Sequence, residues 1–341
     1  MKKSLIALAV LAVSGAAMAQ SSVTLYGIAD VWFGSEKTAG VTDTKVNSGG
    51  VNSSRWGLKG SEDLGGGLKA NFDFQQGFSL DSGEAATRKN IGGVKEPAGF
   101  NRQAWVGLSG NFGAVRLGNT TTPFDDVSGS SNAVFDSSLA PAGNVFKSTK
   151  YNARTGNAIF YSTPNFSGFT GEVMYSLGED KTLTTSATSA TSVSLAYAAG
   201  PLAVQFGYQV EDIVNPTAAS ADAKFTRLGA SYDFGAAVLK ATYGKAKNVA
   251  SAANSDATDY QLGVDVPVSA TLTLSGSYAR STDSKAAGVF EQTRKGYGLG
   301  AKYVLSKRTF LYGGYEADTA TNNAAADTKH HLFAAGVQHR F

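Results

Sequence analysis

Apolar and polar positions alternate along most of this chain. Leu202, Val204, Phe206, Tyr208 and Val210 share one face, and Ala203, Gln205, Gly207 and Gln209 share the other. Leu228, Ala230, Tyr232 and Phe234 oppose Arg227, Gly229, Ser231 and Asp233. Tyr260, Leu262, Val264 and Val266 oppose Gln261, Gly263 and Asp265, and Tyr297, Leu299, Ala301, Tyr303 and Leu305 oppose Gly298, Gly300, Lys302 and Val304. A period of two is the signature of strand. The pattern predicts sixteen strands, at 23–35, 52–61, 67–80, 100–109, 113–119, 156–163, 169–178, 191–199, 201–211, 224–234, 236–247, 257–267, 269–281, 294–305, 308–318 and 330–341, with ends good to about 2–4 residues.

A soluble sandwich also alternates, with its apolar face inward. Here the polar face is mostly Gly, Ser, Gln and scattered charge, which suits a water-filled lumen with the apolar face against lipid. The connections agree. Short ones at Glu62–Gly66, Gly110–Phe112, Pro164–Gly168, Gly200, Gly235, Val268 and Ser306–Lys307 alternate with long ones rich in Ala, Ser, Thr, Asn and Asp. Short turns at one end, long loops at the other and an even strand number describe an outer-membrane barrel. Both termini then lie on the short-turn, periplasmic side. A barrel of this size leaves an aqueous channel. Phe112, Phe166, Phe169, Tyr232, Phe234, Tyr303 and Phe341 fall near the short turns, as an interfacial aromatic girdle requires. In the last strand Phe333, Ala335, Val337, His339 and Phe341 share a face; pairing of this strand with the first closes the barrel and removes both edges.

One connection departs from the rest. Asn119–Lys150 has neither a sustained strand period nor a helical one, and it is much longer than an ordinary connection. Phe124, Val127, Val134, Phe135, Leu139, Val145 and Phe146 give it something to bury, which argues against disorder. The expectation is a third extracellular loop folded into the lumen, narrowing it; the alternative is an ordinary long surface loop.

At the start of the chain, Lys2 and Lys3, the apolar run Leu5–Val13 and the small-x-small site Ala17-Met18-Ala19 predict a cleaved signal peptide over 1–19, leaving one barrel domain over 20–341. The apolar run is shorter than the roughly 20 residues of a spanning helix. Cysteine is absent, so disulfides and thiolate metal sites are excluded. Lys and Arg number 30 against 27 acidic residues; without Lys2 and Lys3 the balance is 28 against 27, a charge of +1, which speaks against a nucleic-acid partner.

Five blocks carry a family likeness: QSSVTLYGIAD (Gln20–Asp30), SRWGLKGSEDLGGGLKA (Ser54–Ala70), RQAWVGLSGNFGAVRLG (Arg102–Gly118), YSTPNFSGF (Tyr161–Phe169) and the terminal HRF. In order and spacing the chain resembles the general trimeric porins of β-proteobacterial outer membranes, within the Gram-negative porin family. The resemblance implies a 16-stranded antiparallel transmembrane β-barrel, all-β, assembled as a homotrimer in outer-membrane lipid and lipopolysaccharide. It implies passive diffusion of small hydrophilic solutes and inorganic ions, and a terminal Phe341 read by the barrel-assembly machinery. It carries a basic wall at the constriction onto Arg55, Arg102 and Arg154, facing the loop acids Asp125, Asp126 and Asp136. Alternation turns Arg55 inward, opposite Trp56 and Leu58, whereas Arg102 shares parity with the apolar Ala104, Val106 and Leu108. Asn119 stands where the family often has Arg, which points to a weaker basic wall and a mild anion preference.

No catalytic motif and no cofactor motif is found. The only histidines are His330, His331 and His339; the first two point to opposite faces of a strand and cannot chelate one metal, so no metal site is expected. Gly65-Gly66-Gly67 precedes a strand, whereas a phosphate cradle needs a helix. A substrate-specific channel is the nearest rival reading; a barrel enzyme using the histidines at its rim and an adhesin with a plugged lumen are the others.

Overall fold

The computed structural model describes residues 22–89, 95–96, 99–212, 221–249, 255–283, 292–322 and 325–341; the expected signal peptide lies outside the described residues. In chain order the strands are β1 (Ser22–Thr38), β2 (Val41–Ser48), β3 (Arg55–Gly65), β4 (Leu68–Gly77), β5 (Arg88–Lys89), β6 (Lys95–Glu96), β7 (Gln103–Gly110), β8 (Gly113–Thr121), β9 (Arg154–Ser162), β10 (Phe169–Leu177), β11 (Ser189–Ala199), β12 (Leu202–Asp212), β13 (Ala223–Asp233), β14 (Val238–Lys247), β15 (Ala257–Pro267), β16 (Leu272–Asp283), β17 (Gln292–Val304), β18 (Thr309–Asn322) and β19 (Ala325–Arg340). Apart from the two-residue β5–β6 ribbon they form one sheet. Every pairing is antiparallel, and β19 returns to β1 with Ile28 opposite Arg340, so the sheet is a closed 16-strand barrel.

Seventeen named strands make sixteen staves because β2 and β3 occupy one. β1 pairs with β2 through Val31–Thr38 and with β3 through Ser22–Ile28. Between them the chain leaves the wall over residues 49–54 and turns inward. Alternation does not reveal β2. VTDTKVNS is mostly polar and carries no continuous apolar face. β18 and β19 likewise run on beyond the roughly 9–11 residues a spanning strand needs.

The faces are as the alternation predicts. Phe206, Leu228, Leu262 and Leu299 are exposed on the outer surface, while Gln209, Arg227 and Gln261 are buried within. The girdle aromatics Phe112, Phe166, Phe169, Tyr232, Phe234, Tyr303 and Phe341 are all exposed at the short-turn end. Phe169 contacts Tyr197 and Tyr232 contacts Phe234, each pair with centroids 4.5 Å apart. A second set, Tyr243, Tyr260, Tyr278 and Tyr297, is exposed toward the opposite end.

The apolar core sits inside the barrel, where the long connection meets the wall. Phe124 packs with Ala223, Phe225 and Ala246; Val134 and Leu139 with Trp32, Tyr312 and Leu332; Val145 and Phe146 with Ala279. Burying a Phe, Leu or Val contributes about 1.5–3 kcal/mol, so these side chains hold the segment in the lumen. Of the predicted anchors only Phe135 stays partly exposed. The fold departs from the sequence reading in one further respect. The small, polar inner face of β12–β17 does not simply border water; much of it is the seat of this loop. A Cβ on Gly263 would collide with Ala133, and one on Gly298 with the Leu139 carbonyl.

Candidate functional site

Strand structure runs to Thr121 and resumes at Arg154, so the lumen loop proper is 122–153, slightly displaced from 119–150. Its first element is a one-turn helix, Pro123–Ser128. The Thr122 hydroxyl caps it by accepting from the Asp125 N–H at 3.2 Å, and Pro123 fits the first helical position, where no N–H is needed. The other helical turns, Val134–Asp136, Ala142–Val145 and Lys147–Thr149, are too short to leave a helical period in the sequence. At the tip Val134, Phe135 and Asp136 all have positive φ, 55°, 63° and 49°. That conformation is unfavourable for a β-branched or bulky residue, so tertiary contacts must hold it. The Val134 N–H donates to Ser275 Oγ at 2.7 Å, and Lys302 Nζ lies 4.9 Å from the Phe135 ring centroid.

Further bonds from the wall fix the loop along its length. Asp259 accepts from the Lys147 and Ser148 N–H groups. Arg294 donates to the Val145 carbonyl, and Gln261 to that of Ser131. Arg227, buried behind the loop, donates to the Ser128 carbonyl and to Ser148 Oγ, both at 2.8 Å. Its guanidinium lies between the rings of Phe124 and Phe146.

The wall not covered by the loop carries the arginines. Arg55 opens β3, directly after the inward turn, and Asp30 holds that turn. The fully buried Asp30 carboxylate accepts from the N–H groups of Gly50, Val51 and Asn52, from the Tyr312 hydroxyl at 2.6 Å and from the Gln338 amide at 2.8 Å. Arg102 escapes the parity problem because β7 begins one residue later; the bend at Asn101–Arg102 lets its Nε donate to Gln75 Oε1 at 2.8 Å. Arg154 is the first residue of β9, opposite Thr121. Arg55 and Arg102 are each within Coulombic reach of Arg154 and of one another. Arg340, on the inward face of β19, is a fourth cation near Arg55 that the sequence reading missed. None of the three predicted arginines forms an ion pair with a described carboxylate.

On the loop, Asp125 interacts with Arg154 and Arg102 and accepts from the Tyr151 hydroxyl at 2.8 Å. Burial pushes its carboxyl above the usual carboxylate range; Arg154 and Tyr151 pull the other way. Asp126 and Asp136 are exposed to the lumen, and Asp136 accepts from the Asn132 amide at 2.6 Å. Asn119 is buried in the wall, at the register shift between Gly118 and Thr120. Three residues earlier on the same strand, Arg116 is paired with Glu172 at 3.1 Å and lies over the Trp105 and Phe160 rings.

Phe341 continues the closing seam: its N–H and C=O bond Gly27 at 3.1 and 3.0 Å, and its ring fills the space beside that glycine. The histidines do not meet each other. His331 contacts the Tyr315 hydroxyl and His339 contacts Thr309, but His330 lies among carboxylates of neighbouring strands, which adjacent-residue spacing cannot show.

A closed barrel with an apolar outer band, an inward-folded loop and a charged gap between loop and wall is a membrane channel of the outer-membrane type. A family model for Gram-negative porins matches residues 4–323. The chain is 38% identical to outer membrane porin protein 32 of Delftia acidovorans, over 99% of this chain and 95% of the relative. It is 32% identical to an outer membrane porin of Bordetella pertussis over the whole of both chains. Among solved structures, the anion-selective porin from Comamonas acidovorans superposes with a TM-score of 0.76 at 29% identity, covering 94% of this chain and all of that one. The chain belongs to the Gram-negative porin family and is an outer-membrane channel for the passive diffusion of small hydrophilic solutes and ions.

Proposed function

We infer that this porin prefers anions, and that Arg55, Arg102 and Arg154 form the basic side of an eyelet whose acidic side is Asp125, Asp126 and Asp136. The observation that carries the reading is the clustering of three arginines with no ion-paired carboxylate among the described residues, opposite a loop whose Asp125 feels two of them. A charged ring in a narrow water-filled constriction selects for ions of opposite sign. The anion-selective relative, similar over its full length, supports the same sign. The preference is mild, because the loop acids oppose it and position 119 carries Asn. Replacing Arg55, Arg102 or Arg154 with Ala lowers the anion-to-cation permeability ratio, read from the zero-current potential across a salt gradient in a planar bilayer. Unchanged potentials at low salt remove these residues from the constriction.

The same reading includes a homotrimer, a leader over 1–19 removed on export, and Phe341 as the signal read by the assembly machinery. It also takes the chain as a channel without catalysis. The family and the similar solved structures are channels, which supports that reading. One observation favours a solute-specific variant: a 410 Å³ recess lined in part by Lys59, Asp73, Trp105 and Arg116 offers both charges and an aromatic face. Solute flux that saturates with concentration would support it; linear flux supports simple diffusion.

A further inference from the structure

We propose that Glu316, Asp318 and His330 form a binding site for a zinc-class divalent cation near the extracellular end of the lumen wall, with Glu36 as the residue that orients the histidine. The barrel register brings these residues together. Glu316 and Asp318 are two apart on β18 and so share a face; Asp318 is directly opposite His330 on β19, and Glu36 comes from β1 on the other side. His330 Nδ1 is 3.0 Å from Glu316 Oε2 and 3.0 Å from Asp318 Oδ2, and the three atoms all lie within 4.8 Å of one another. Zinc sits about 2.0–2.2 Å from nitrogen and carboxylate ligands, so neighbouring ligand atoms in a tetrahedral site are roughly 3.3 Å apart. The atoms need only small shifts to take an ion between them.

Two independent features point to a ligand. Glu316 is fully buried, and no described donor reaches its Oε1. On the far side of the ring, His330 Nε2 is 3.0 Å from Glu36 Oε1, and Glu36 is itself held by Lys45 at 2.5 Å. A metal-bound histidine characteristically donates its second N–H to a carboxylate, which fixes the tautomer and the ring plane. Here that partner is in place.

Both ring nitrogens face carboxylates, Nδ1 toward Glu316 and Asp318 and Nε2 toward Glu36. Zn²⁺ takes the Nδ1 lone pair and any proton held there leaves to solvent, so the local charge rises. Glu36, Glu316, Asp318 and, through Glu36, Lys45 are the charged groups facing the ring. A nitrogen ligand favours zinc over calcium, which takes six to eight oxygens. The added charge lies on the lumen wall and favours anions.

The test is isothermal titration of zinc chloride into the folded, detergent-solubilised full-length porin, with the same titration of calcium chloride. One saturable zinc site per chain is expected, at least tenfold weaker in His330→Gln and in Glu316→Gln, unchanged in His331→Gln, and at least tenfold tighter than calcium. Each variant is first checked for heat-modifiable gel mobility, and Asp318→Asn replaces any variant that fails to fold. Absence of saturable zinc binding to the wild type, equal affinity in His330→Gln, or calcium bound as tightly as zinc overturns the proposal.

Discussion

Asp125 is the residue at which loop, wall and solvent meet. It is close enough to Arg102 and Arg154 to oppose them, and its carboxyl is raised by burial. Asp125→Asn removes one opposing charge and raises the anion-to-cation permeability ratio; a lower ratio would place it away from the ion path. Its raised pKa also fixes the direction of a pH effect. A carboxyl raised above the ordinary value of about 4 is neutralised earlier as pH falls. Acidification from neutral pH therefore removes negative charge from the loop while the arginines stay charged, and the anion preference strengthens. Zero-current potentials measured at falling pH should grow in wild type and change less in Asp125→Asn. Arg102 shows where side-chain parity misleads: counted with Val106 and Leu108 it points outward, but it precedes the strand and turns in to Gln75.

At the scale of elements, the lumen loop and the 49–54 turn are held by different buried charges. Arg227 ties together two distant parts of the loop, Ser128 and Ser148. Arg227→Met keeps apolar contact with Phe124 and Phe146 but leaves a carbonyl without its donor, at about 1–3 kcal/mol if it stays dry. The loop should loosen, seen as noisier single-channel current and a lower heat-modification temperature; a quiet channel of wild-type stability contradicts this anchoring. Asp30→Ala should be more severe, since three backbone N–H groups, Tyr312 and Gln338 lose one acceptor. The turn that delivers Arg55 then loses its frame, and both stability and anion preference fall together. Neither role was legible in the sequence. Asp30 stands in an ordinary strand motif, and its partners Tyr312 and Gln338 are 282 and 308 residues away. The loop's burial was legible, because seven apolar residues without a period must be covered somewhere; its seat was not. Gly229, Gly263 and Gly298 read as a wetted small-residue face, whereas close approach of the loop requires them.

For the whole molecule, the strand pattern was readable because lipid outside and a polar interior impose a strict period of two; it faded where β2, β18 and β19 rise past the membrane. Closure rests on the β1–β19 seam, which Phe341 extends through its bonds to Gly27. Deleting Phe341 should sharply reduce heat-modifiable protein in the outer membrane while export continues; normal levels would place the assembly signal elsewhere. The central claim is that an open lumen with a net basic eyelet sets what passes. Its most direct test is the zero-current potential of the wild-type porin in a planar bilayer, across KCl gradients at low and at high salt. Screening extends about 10 Å at 0.1 M and only about 3 Å at 1 M. The account predicts an anion-selective sign at low salt that shrinks as salt rises; a cation-selective sign, or no potential at low salt through an open channel, would contradict it.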